Sequence, residues 1–163
     1  MRADRRAERQ GALRRSLEAA GLDALLVTHL PNVRYLTGFT GSAAVLLVQP
    51  GRTVLVTDFR YESQAAQEVG NAAVVEIDRS SVWERLRRVL EQRPPDALGI
   101  EANAVTVRDA ERISERTRGR VVPTTELVES LRVEKDVEEV DAIRAAADLA
   151  HAALAEVLPT VRA

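Results

Sequence analysis

Residues 31–61 read PNVRYLTGFTGSAAVLLVQPGRTVLVTDFRY. Two apolar runs, Ala43 to Val48 and Val54 to Val56, flank Gln49-Pro50-Gly51-Arg52. Pro presets φ and Gly supplies positive φ, so a Pro-Gly pair between two β-branched runs predicts a turn and an antiparallel hairpin. Polar and aromatic residues sit on both flanks: Asn32, Arg34, Tyr35, Thr37 and Phe39 before, and Asp58, Arg60 and Tyr61 after. A hairpin returns its flanks to one end, which places these clusters near each other. Gly38 and Gly41 leave the backbone beside Phe39 free to take positive φ or to admit a close neighbour.

Outward from this hairpin, helices and strands alternate. Residues 3–20 carry Leu13, Leu17 and Ala20 at helical spacing, with Gly21 as the stop. Leu22 to Thr28 is a short buried strand, and a helix follows from Pro31 to Leu36. After the hairpin come a helix over Tyr61 to Val69 and a strand over Ala72 to Ile77. Ser81 with Glu84 starts a helix whose inner face is Val82, Leu86, Val89 and Leu90, and Arg93-Pro94-Pro95 ends it. Ala97 to Ile100 is a strand, Thr106 with Asp109 starts a helix that runs to Gly119, and Val121-Val122 is extended. This alternation predicts an α/β fold, a mixed β-sheet with flanking helices that closes before Pro123. Thr124 to Arg132 is a short amphipathic piece. Asp136 and Glu139 then cap a long helix carrying Val140, Ile143, Ala147, Ala150 and Leu154, with His151 packed and Pro159 as the stop. A lone helix cannot bury such a stripe by itself.

Composition narrows the chemistry. With 163 residues and 45% hydrophobic content, the chain is the size of one domain or one plus a fragment. A formal net charge of −2 creates no global field for nucleic acid or an anionic membrane. Cysteine is absent, which excludes disulfides, thiolate metal sites and cysteine nucleophiles. The charged start leads into no apolar signal region, and the longest apolar run is far shorter than a membrane span, so the expected location is cytoplasmic.

Only two histidines occur, His29 and His151, with no metal-binding spacing. The acid pairs Glu138/Glu139 and Asp58/Glu62 have helix-start accounts. No phosphate-cradling glycine motif is present. Ser42 as a nucleophile would need His29 as its base. Arg34, Tyr35, Phe39, Arg60 and Tyr61 remain, with two readings: a surface that holds a peptide or carboxylate, or tyrosines packed under the hairpin with arginines in surface ion pairs.

Three motifs in order carry a resemblance: N-x-x-Y-L-T-G-F-x-G-S (Asn32 to Ser42), T-D-x-R-Y-x-x-Q-A (Thr57 to Ala65) and L-R-x-x-K-D-x-x-E-V-x-x-I-R-x-A (Leu131 to Ala146). Together they resemble the Xaa-Pro peptidases, the prolidase and aminopeptidase P group that shares its architecture with creatinase. The resemblance implies a creatinase-type, ribonuclease H-like N-terminal domain over residues 1–132. Residues 133–163 would be a linker and the first helix of a pita-bread metallopeptidase domain. In that family the second domain holds two divalent metals (manganese, cobalt or zinc) and hydrolyses the bond before proline in proline-containing peptides. Its ligands match no position here, so this chain is expected to hold no catalytic or metal residue. The resemblance further implies a homo-oligomer, a dimer, in which His29, Arg34, Tyr35, Phe39, Arg60 and Tyr61 help shape a substrate entrance across subunits. An alternative is a stand-alone peptide- or protein-binding module of the same fold.

Overall fold

The computed structural model describes residues 5–161 and falls into two compact units that divide between Leu131 and Arg132. The expected helix start at residues 3 and 4 lies outside the described residues. In the first unit the elements are α1 (Arg6–Ala19), β1 (Ala24–Val27), α2 (Leu30–Thr37), β2 (Ala44–Gln49), β3 (Arg52–Asp58), α3 (Glu62–Val69) and β4 (Val74–Asp78). They continue with α4 (Val82–Gln92), β5 (Ala97–Glu101), α5 (Val107–Arg116), β6 (Arg120–Thr124) and α6 (Glu129–Arg132). The second unit is chiefly α7 (Val137–Val157).

Six strands form one sheet in the order β4-β3-β2-β1-β5-β6. β2 runs antiparallel to both its neighbours, and every other pairing is parallel. This is the expected mixed sheet with flanking helices. The hairpin register pairs Gln49 with Arg52 and Ala44 with Thr57, so Pro50 and Gly51 alone make the turn. Side chains alternate along each strand. Leu25, Val27, Leu46, Val48 and Leu55 join Leu13, Leu17, Val33, Leu36, Ala65 and Val69 from α1, α2 and α3. Leu26, Val45, Leu47, Val54, Val56 and Leu98 join Leu86, Val89, Leu90 and Ile113 from α4 and α5. Helices therefore cover both faces, which is why the central strands read as unbroken apolar runs.

α1 ends as a Schellman motif at Gly21: Leu22 N donates to Leu17 O (2.9 Å) and Gly21 N to Glu18 O (3.0 Å). Its inner face carries Leu13, Leu17 and a polar residue, Gln10, while Ala20, expected on that face, is exposed. Gln10 is 4% exposed. It donates to the carbonyls of Leu36 (3.0 Å) and Ala72 (2.8 Å) and accepts from Thr53 Oγ1 (2.6 Å). Arg6 on the same helix donates to the carbonyls of Thr37 (2.9 Å), Glu68 (2.8 Å) and Val69 (3.1 Å), closing the ends of α2 and α3.

Four expectations are corrected. The sheet does not close before Pro123: that residue lies in β6, opposite Ile100. A proline fits there because β6 is an edge strand. α5 ends at Arg116, three residues before Gly119, because Thr117 is already extended. Pro159 sits inside a 3-10 turn, Leu158–Thr160, that prolongs α7, since proline is tolerated in a first helical turn. His151 is exposed, as are Ile143 and Leu154 on the stripe of α7. The Asp136–Glu139 capping box of α7 is present in full. Val128 is buried, with Leu127 and Leu131 packed against the same core as α1.

Candidate functional site

The open end of the hairpin gathers three of the six candidate residues. Gly38 ends α2 at φ +81°, with its N–H on Arg34 O, and the chain then runs through Phe39 to Ser42 into β2. At the far side β3 ends on Asp58, whose carboxylate accepts from Arg60 N (3.0 Å) and so starts the turn Phe59–Tyr61. The same carboxylate receives the Arg60 fork through Nε (2.9 Å) and Nη2 (2.7 Å). That side-chain bond from Arg60 holds the Asp58 carboxyl below its ordinary range and raises the Arg60 guanidinium.

Phe39 is 1% exposed and meets the edge of Tyr61, with ring centroids 5.7 Å apart at 83°. Gly41 passes so close to both rings that a β-carbon there would lie 2.7 Å from Phe39 Cε1 and 2.8 Å from Tyr61 Cδ1. The Tyr61 hydroxyl lies 2.6 Å from Ser42 Oγ. The bond to Ser42 is the main cause that lowers the Tyr61 phenol, and the Arg60 charge, 5.4 Å above the ring, adds to it. Thr40 is fixed from below, with N and Oγ1 each 2.7 Å from the Glu68 carboxylate and Gln64 Nε2 donating to Oγ1 at 2.8 Å. Partial burial pushes the Glu68 carboxyl up. The bonds from Thr40 and Gln64, with the charge of Arg34, outweigh it and leave the group below its usual value. Phe59 at 53% exposure, Arg60 and the rim of Tyr61 form the outer surface of this ledge.

The other three candidates stand apart. Arg34 is exposed on α2 and reaches the ledge only through the field at Glu68. Tyr35 braces helices: its hydroxyl donates to Leu131 O (2.8 Å) and the Arg9 guanidinium lies 4.1 Å above its ring. His29 flanks a second cluster at the end of β5. There the buried Glu101 carboxylate accepts from Thr28 N (2.7 Å), His29 N (2.8 Å) and Asn32 Nδ2 (2.7 Å), while His29 Nδ1 lies 3.9 Å from Glu129. Glu101 thereby satisfies the two backbone amides that lead into α2. Sequence reasoning passed over Glu101, Glu68 and Gln64, whose partners are tens of residues away. The Ser42 hydroxyl is engaged with Tyr61 and the His29 ring faces Glu129, so neither forms half of a nucleophile–base pair.

Among the described residues, no three His, Asp or Glu side chains converge closely enough to hold a metal ion. The described residues therefore do not fit a dinuclear metal centre. No described helix is long and apolar enough to cross a membrane.

A sheet with one reversed strand, helices on both faces and a braced aromatic ledge at one end defines an α/β domain. The chain matches the Creatinase/Prolidase N-terminal domain family over residues 9–133, and it belongs to that family. It is 33% identical over 147 residues to the Bacillus subtilis protein described as the uncharacterized peptidase YqhT, covering 90% of this chain and 41% of that one. A Xaa-Pro dipeptidase from Bacillus anthracis superposes with a TM-score of 0.89 at 29% identity, over 96% of this chain and 44% of that one. The N-terminal domain of the cytoplasmic peptidase PepQ from Mycobacterium tuberculosis H37Rv superposes with a TM-score of 0.69 at 36% identity, over 76% of this chain and 98% of that domain. The chain thus spans less than half the length of the longer relatives.

Proposed function

We propose that this chain is the non-catalytic N-terminal part of a cytoplasmic, metal-dependent Xaa-Pro peptidase, serving oligomerisation and substrate gating. One observation carries the reading: the chain covers 98% of a relative's isolated N-terminal domain and only 44% of a longer dipeptidase. Residues 1–132 would be the gating domain, and residues 133–163 the linker and first helix of a pita-bread domain that holds two divalent metals. The exposed stripe of α7 supports that assignment, because such a face needs a partner.

The gate would be the ledge of Arg60 and Tyr61, with Phe39 as its buried support, Tyr35 and His29 setting the position of α2 behind it, and Arg34 acting through its charge on Glu68. In a dimer this ledge would close a neighbouring subunit's cleft and limit the length of proline-containing peptides that enter. Rigidity favours the role, because the ring pair and the Asp58 fork fix the ledge before any peptide arrives.

The test has two parts. The 163-residue chain, assayed with an Xaa-Pro dipeptide and manganese, should release no product; clear turnover sinks the non-catalytic reading. In the full-length protein, Tyr61→Ala with Arg60→Ala should change the kcat/KM ratio between a dipeptide and a longer Xaa-Pro peptide by about tenfold, one charge-assisted contact's worth. An unchanged ratio removes the gate.

A further inference from the structure

The opposite end of the hairpin holds a charge that the peptidase reading does not use. Arg14 on α1 is partly buried beside the Pro50-Gly51 turn. Its Nε donates to Gln49 O (3.0 Å), and its Nη2 donates to Thr53 Oγ1 (2.7 Å) and Gln10 Oε1 (3.3 Å). Those three bonds go to neutral groups. Among the described residues no carboxylate pairs with it, and the two N–H groups of Nη1 have no partner. Desolvation without a counter-charge pushes the Arg14 guanidinium down. Arg14 is only partly buried, so the Nη1 edge keeps its two donors for an acceptor from outside the chain.

Arg14 lines an open cleft of about 390 Å³ with Gln10, Arg52, Thr53, Asn71 and Val74, closed by the glycines and alanines between them. The lining contains two arginines and no Asp or Glu, in a chain whose net charge is −2. Arg52 is only partly neutralised, since its contact to Glu76 is 4.0 Å and Glu76 is held closer by Arg85 at 2.7 Å. Arg93 lies outside this lining, with its Nη1 donating to Pro50 O.

We propose that this cleft binds a small carboxylate, held between the unused Nη1 of Arg14 and the guanidinium of Arg52. The charge count selects the ligand. One whole positive charge and one shared with Glu76 suit a monoanion better than a phosphate dianion. Gln10 and Thr53 fix the Arg14 fork in advance, so little rotamer freedom is lost when the anion arrives. The carboxylate can come from a free small acid or from an Asp or Glu of a second copy, and the chemistry at Arg14 is the same for both.

Amide spectra of the ¹⁵N-labelled 163-residue chain, titrated with sodium propionate at constant ionic strength, test the site. Gly51, Gly70 and Asn71 should shift together and saturate, and inorganic phosphate should bind more weakly. Arg14→Gln should weaken propionate binding by about tenfold, the loss expected for one charge-assisted hydrogen bond. If that variant does not fold, Arg52→Gln must weaken binding in its place. Shifts at the same amides that grow with protein concentration, without propionate, assign the carboxylate to a second copy and support the site. Linear unsaturable shifts, tighter binding of phosphate, or unchanged affinity in the folded variants overturn the proposal.

Discussion

The two ends of the β2–β3 hairpin carry the same residue type in opposite states. At the open end Arg60 closes a fork on Asp58, at 2.9 and 2.7 Å. At the turn end Arg14 spends its Nε and Nη2 on a carbonyl, a hydroxyl and an amide oxygen and, among the described residues, meets no acid. A paired arginine gives order: its fork on Asp58 holds the turn Phe59–Tyr61. An unpaired one keeps donors for something outside the chain. The ends also differ in packing. A β-carbon on Gly41 would strike the rings of Phe39 and Tyr61, whereas one on Gly51 would have nothing within 4 Å. One end is built as a solid, the other as a cleft.

That contrast breaks most readily at Phe39. Phe39→Ala should cost about 3–5 kcal/mol in urea unfolding, because a fully buried ring leaves a cavity beneath the ledge. A loss under about 1 kcal/mol would mean the ledge collapses without strain. Next comes the glycine pair. Gly41→Ala should destabilise by about 1–3 kcal/mol through overpacking. Gly51→Ala, at φ +70° but in open space, should cost only the left-handed conformation, about 1–2 kcal/mol. The two are distinguished by Phe39→Leu, which should relieve the Gly41 variant and leave the Gly51 variant unchanged. Tyr61→Phe removes the hydroxyl bond to Ser42 on an exposed rim and should lower the urea midpoint by less than either glycine variant does.

Acid gives the smallest effect. Asp78 stands opposite Asp58 in the β3–β4 register. The bonds from the Ser80 side chain, then the Ser80 and Ser81 amides, bring its carboxyl down to about 2. Both carboxyls are depressed on folding, so their stabilisation is complete above the ordinary carboxylate value, near pH ~4, and is lost as pH falls through the folded values. Thermal unfolding followed from pH 7 downward should therefore weaken at this end only below about pH 4. The Gly51 amide, beside arginines that do not titrate in this range, should hold its shift.

Local signals made most of the fold legible. The Pro50-Gly51 pair, the Gly21 stop, and the caps at Ser81, Thr106 and Asp136 each act over a few residues, and the chain obeys them. The Asp58–Arg60 fork was within reach for the same reason, since its partners are two residues apart. Arg14 was not: its partners lie 35 and 39 residues away, and the absence of an acid beside it is a fact of packing. Glu101, bonded across 73 and 69 residues, was invisible on the same grounds. Pro123 misled because proline marks the end of a strand unless that strand is the last in its sheet. Gln10 was passed over because a polar side chain on an inner helix face is at home only where carbonyls happen to wait for it.

Arg6 has a practical bearing. The family match begins at residue 9, which invites anyone trimming this polypeptide to cut there. Every strand would survive the cut, but three carbonyls at the ends of α2 and α3 would lose their shared donor. Glu68, which holds Thr40, sits in that last turn of α3. The ledge would slacken from behind, with no residue of the ledge itself altered.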